Sequence, residues 1–177
     1  RFSEVKNHLP IVNRVIESMN NKNKKYKFLI SRSRNINISI YEKYFSNKDY
    51  VSIVSNENIY ETIDLCKVAV AASGTITLQI ALKKIPLCVF YKLSNATYFL
   101  VKFLIKTKFI SLINIVLGKK VVQEFIQSDA STENIEKEIK KLISDNKYRE
   151  NLKNGISSIE KVLENNDSKI DMKDSLS

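Results

Sequence analysis

Five consecutive apolar residues, Val68-Ala69-Val70-Ala71-Ala72, end abruptly at Ser73-Gly74-Thr75, and a helical pattern over residues 77–83 follows at once. The run is short for a helix and right for a strand. With apolar side chains pointing to both sides it needs cover on both faces, which a parallel sheet packed between helices supplies. In such sheets ligands bind beyond the carboxyl ends of the strands, and a helix start presents free N–H groups to anions. Ser73-Gly74-Thr75 falls at that place. Read alone, the tripeptide favours an ordinary capping turn, with Ser73 as the cap and Gly74 supplying backbone freedom. Read as a ligand site, Gly74 lets a diphosphate approach the backbone and the two hydroxyls add donors.

The same strand–helix alternation recurs along the chain. Residues 3–19 carry Val5, Leu9, Val12, Val15, Ile16 and Met19 at three- and four-residue steps, with Ser3 placed to cap them and Pro10 marking either a kink or a later start. Residues 26–31 and 51–55 read as strands, and residues 37–45 and 58–66 as short helices. Residues 87–91 form the next strand, 96–106 a strongly apolar helix, and 109–116 an apolar stretch ambiguous between strand and loop. Ser131 caps a helix striped by Ile135, Ile139, Leu142 and Ile143, and a last helix uses Tyr148, Leu152, Ile156, Ile159 and Leu163. The pattern predicts an α/β fold, a Rossmann-like parallel sheet flanked by helices, over residues 1–164, with 165–177 a polar, disordered tail. Three glycines and two prolines in 177 residues argue against a many-turned β-sandwich.

Charge narrows the partners. The formal net charge of +10 favours anions: phosphates, nucleic acid or an acidic membrane face. Lysines between positions 22 and 27, with Arg32 and Arg34, suit either a solvated loop or phosphate contacts of a basic nucleic-acid-binding module, but no nucleic-acid-binding motif accompanies them. Cys66 and Cys88 have no metal-ligand spacing and read as small core residues, and the single histidine, His8, reads as a helix-surface residue. Around residues 96–106, Lys102, Lys106 and Lys108 argue against a membrane span and favour an interfacial helix or a core helix whose lysines reach outward.

Several strings in fixed order say more than any one of them. Ala72-Ser73-Gly74-Thr75-Ile76-Thr77-Leu78-Gln79 is followed by Pro86 before the strand ending Tyr91-Lys92. Ser111-Leu112-Ile113-Asn114 with Gly118 comes next, and then Glu124-Phe125-Ile126-Gln127. Together they resemble the C-terminal half of the lipid-A-disaccharide synthases, bacterial glycosyltransferases of the two-domain GT-B type. The opening Arg1-Phe2-Ser3-Glu4-Val5 resembles the end of that family's Gly-Ser-Arg-x-x-Glu-Val segment, and the likeness runs from Arg1 to Leu163. The chain departs from the family's pattern at Gln79 and Lys120, where glutamate is usual, and at Ile113 and Gln123, where proline is usual.

The resemblance implies the UDP-diacylglucosamine-binding half of such an enzyme, without the first strand of that half and inactive alone. The family moves diacylglucosamine from UDP onto the 6-hydroxyl of an acylated glucosamine 1-phosphate. The nearest alternative is the corresponding half of another UDP-N-acetylglucosamine glycosyltransferase or epimerase. The implied setting is the cytoplasm, peripheral at the inner face of the bacterial inner membrane. Carried over residue by residue, Arg1 faces the diphosphate with Glu4 orienting it or capping the first helix, and Ser73, Gly74 and Thr75 receive the phosphates. Tyr91 closes its strand near the base pocket, Asn114 bonds sugar or nucleotide, and Gly118 shapes its loop. Glu124 and Gln127, three apart on one helical face, reach the same hydroxyls. No catalytic residue, metal ligand, cofactor or nucleic-acid partner is expected within the chain.

Overall fold

The computed structural model describes residues 2–21, 26–94 and 108–174, with backbone alone at 161 and 163–174. Helix α1 (Phe2–Asn20) runs straight through Pro10 and buries Leu9, Ile11, Val15, Ile16 and Met19. Strand β1 (Phe28–Arg32) leads to α2 (Ile38–Phe45), whose start is capped by Asn37 accepting from Ser39 N at 3.0 Å. Strand β2 (Val51–Ser55), a single 3₁₀ turn and α3 (Ile59–Asp64) follow. Next come β3 (Ala69–Ala72), α4 (Ile76–Leu82) and β4 (Leu87–Tyr91). Beyond residue 107 lie α5 (Leu112–Leu117), β5 (Glu124–Ile126), α6 (Thr132–Ser144) and α7 (Asn146–Asp174).

All strand pairs described are parallel, so the fold is the expected Rossmann-like α/β architecture. The strands form two sheets, β1-β2 and β3-β4-β5. The larger core gathers β3, β4, the inner faces of α6 and α7, and Ile11, Val15 and Met19 of α1. A smaller one gathers Leu9 and Ile16 of α1 with Tyr41 and Phe45 of α2. Val12 and Phe28 pack against both, so α1 joins the two sheets through side chains.

Three local expectations change, at residues 68–72, at residues 109–116 and at His8. The strand sealed on both faces is β4, where Leu87, Cys88 and Val89 are wholly buried. On β3, Val70 is 37% exposed, because β3 is an edge strand among the described residues. Residues 109–116, ambiguous in sequence, contain the start of helix α5, opened by Ser111 accepting from Asn114 N and closed by Gly118 in the left-handed region at φ 62°. His8 is buried, not on the surface, since its face of α1 packs on the end of β4. The final helix continues past Leu163 to Asp174. The apolar helix expected over 96–106 lies outside the described residues. No helix among those described is long and apolar enough to cross a membrane.

Candidate functional site

Ser73, Gly74 and Thr75, Tyr91, and Gln127 follow or close the carboxyl ends of β3, β4 and β5, where a parallel sheet opens a crevice. Glu124 instead begins β5, Asn114 and Gly118 belong to the helix before it, and Glu4 reaches in from α1. At the first corner β3 hands over to α4. Gly74 takes φ +150°, a conformation L side chains rarely adopt, and a Cβ built there meets nothing within 4 Å. The turn therefore presents bare backbone to open space. The Gly74 carbonyl accepts from Thr77 N at 3.1 Å and Thr77 Oγ1 at 2.7 Å, and the Thr75 carbonyl accepts from Leu78 N at 3.1 Å. No acceptor among the described residues takes the amides of Gly74, Thr75 or Ile76, which are the free donors of a helix start. Ser73 is committed elsewhere: its hydroxyl donates to Ile110 O at 2.5 Å.

Beneath that corner a polar frame holds residues 110–124. Glu124 on β5 accepts from Ile110 N at 3.0 Å, Ser111 N at 2.9 Å and Asn114 Nδ2 at 2.7 Å. Asn114, fully buried, also donates to Val122 O at 2.9 Å and accepts from the amides of Val121 and Val122 at 2.7 and 3.0 Å. Gly118 closes the helix carrying Asn114. Ser73, Ile110, Glu124 and Asn114 thus form one continuous network.

The second cluster sits where β4 ends. Tyr91 Oη donates to Glu4 Oε1 at 2.9 Å, and Lys92 Nζ donates to Gln127 O at 3.3 Å. Gln127 Oε1 accepts from Leu93 N at 2.7 Å. Glu124 and Gln127 do not share a helical face. Glu124 lies on a strand, and Gln127 begins a 3₁₀ turn at φ +52°, so the carboxylate points into the frame while the amide turns to β4. Arg1 lies outside the described residues.

Sequence reasoning missed His8. Its Nε2 accepts from Lys92 N at 3.1 Å. Burial lowers its pKa, against the pull of the Glu4 carboxylate. The signal was available: His8 follows Glu4 by four positions, hence on the same helical face. Cys88 is a core thiol whose pKa burial pushes well above the usual range, which makes it inert.

A Rossmann-like α/β domain with its polar residues collected at the strand ends is the class these features define. Residues 1–176 match the family model described as lipid-A-disaccharide synthetase, and the chain belongs to that family. The lipid-A-disaccharide synthase of Nitrosococcus oceani is 31% identical over 163 residues, 92% of this chain and 42% of that protein. Those of Geobacter sulfurreducens and Trichlorobacter lovleyi are 37% identical over 110 residues and 43% over 95. These matches cover 62% and 54% of this chain, and 29% and 25% of the relatives. The chain thus spans less than half the length of the relatives it matches.

Proposed function

We propose that the chain is the donor-binding part of a glycosyltransferase that forms the lipid A disaccharide. The donor is a UDP-linked diacylglucosamine. The 6-hydroxyl of an acylated glucosamine 1-phosphate attacks the donor's anomeric carbon, the bond from that carbon to the diphosphate oxygen breaks, and UDP departs. The attacking hydroxyl's proton passes to a base assigned to the portion of the relatives that this chain does not match. Lipid-linked substrates place the reaction at the anionic inner face of the bacterial inner membrane.

The observation that carries the reading is the corner after β3, where the amides of Gly74, Thr75 and Ile76, without an acceptor among the described residues, adjoin a glycine with open space before it. Backbone donors fixed in advance suit the charge that grows on departing UDP. The Thr75 hydroxyl adds a donor there, and Arg1 is assigned the cationic role. Glu4 and Tyr91 line the neighbouring corner. Ser73, Asn114, Gly118, Glu124 and Gln127 serve the site by holding its loops, because their polar groups or backbone turns are already used within the protein. Family membership supports the substrate class.

Calorimetric titration of the full chain with UDP tests this. Saturable binding with a shallow salt dependence is expected, together with no disaccharide formation by the chain alone. Absence of UDP binding, alongside oligonucleotide binding that falls steeply with salt, refutes the reading.

A further inference from the structure

Three consecutive residues leave β4, and side chains from elsewhere in the fold tie each of them down. Tyr91 is held through its hydroxyl by Glu4, and the Lys92 amide by His8 Nε2 at 3.1 Å. Leu93 is held at both backbone groups by Gln127, whose Oε1 accepts from Leu93 N at 2.7 Å and whose Nε2 donates to Leu93 O at 3.4 Å. Gln127 does this from φ +52°, a left-handed conformation costing a non-glycine residue about 1 kcal/mol. Glu4 and His8 stand one turn apart on α1 and so reach this segment from the same helix.

The His8 ring is 7% exposed and lies edge-on to Phe90, with centroids 4.9 Å apart. An imidazole accepts at Nε2 only when that nitrogen keeps its lone pair, so the bond from Lys92 N specifies a neutral ring with its proton on Nδ1. At the end of a strand the ladder no longer supplies acceptors, and a buried side chain takes over that task.

We propose that His8 is a positioning residue of the crevice: by accepting the Lys92 amide it fixes the path on which the chain leaves β4, and with it the ammonium of Lys92 against Gln127. The proposal rests on reading the crevice as a site for a nucleoside diphosphate. His8 itself touches no ligand.

Three forms of the 177-residue chain test it: wild type, H8Q and H8F. Glutamine places an oxygen acceptor near the position of Nε2, whereas phenylalanine fills the volume without one. The chain has one histidine, so its imidazole resonances need no assignment, and their ¹⁵N shifts are expected to report the Nδ1–H tautomer. Hydrogen exchange at the Lys92 amide is expected to stay slow in H8Q and to quicken about ten-fold or more in H8F. UDP affinity is expected to weaken about ten-fold in H8F and to stay within about three-fold of wild type in H8Q. A ring that only fills space would leave H8F like wild type in both readouts. That result, an Nε2–H tautomer, or H8Q behaving like H8F overturns the proposal. If wild type does not bind UDP, the nucleotide reading fails, and the tautomer and the Lys92 exchange still decide the part played by His8. If H8F does not fold, the tautomer and H8Q decide it.

Discussion

The amide of Asn114 uses both of its donors and accepts two bonds, all inside the protein. Asn114→Ala leaves the amides of Val121 and Val122 without an acceptor and takes a donor from Glu124. We expect a loss of about 3 kcal/mol in unfolding free energy, measured by urea denaturation. A residue that served only to contact sugar would cost little stability. The ordered strings single out Asn114 and Glu124, and the structure joins the two by one hydrogen bond. They could not say which way the side chains point, because orientation depends on the backbone of residues 110–123, and that stretch has no periodic signal. Gly74 was more legible: a glycine between a buried strand and a helix start has few other uses, and its φ of +150° agrees with the need for one there.

At the scale of elements, α7 comes so close to the loop before β5 that Gly155 leaves no room for a methyl group. A Cβ at Gly155 would lie 2.7 Å from Val121 Cγ1, and valine is stiff about χ1. Helix propensity alone would favour Gly155→Ala by about 1 kcal/mol. We expect the clash to win, with a net destabilisation of about 1–2 kcal/mol. Val121→Ala should relieve it, so a double-mutant cycle should show favourable coupling between the two changes, and strict additivity would contradict this packing. Long periodic elements were readable beforehand: α6 and α7 follow the stripes of Ile135, Ile139, Leu142 and of Leu152, Ile156, Ile159. Short ones were not. Strand β5 has three residues, too few to distinguish alternation from a helical step, so the three-residue spacing of Glu124 and Gln127 suggests a common helical face that the structure does not have. The burial expected for Val70 failed for another reason: an apolar run reports what a strand can tolerate, while its place in the sheet decides what covers it.

At the scale of the whole molecule, the described residues form two parallel sheets of unequal support. Strand β4 lies in the larger core with Leu87, Cys88 and Val89 wholly buried, whereas β1 and β2 have no fully sealed residue and rest on the smaller group around Tyr41 and Phe45. Native-state hydrogen exchange should therefore show β1 and β2 opening at a lower free energy than β4, and equal protection of both sheets would contradict the division. The alternation of strand and helix announced the fold class, but not that the sheet comes in two parts, since pairing between distant strands leaves no mark in local pattern.

Among the described residues β1 and β3 share no ladder of hydrogen bonds, and α1 is one of the bridges between the two halves of the domain, its Val12 packing on both cores beside Phe28 of β1. Packed side chains resist separation far better than they resist sliding. The same helix carries Glu4 and His8 to the end of β4. A slip of the smaller sheet beneath α1 would thus be felt as a pull on the end of β4, which makes this helix a lever arm as well as a wall.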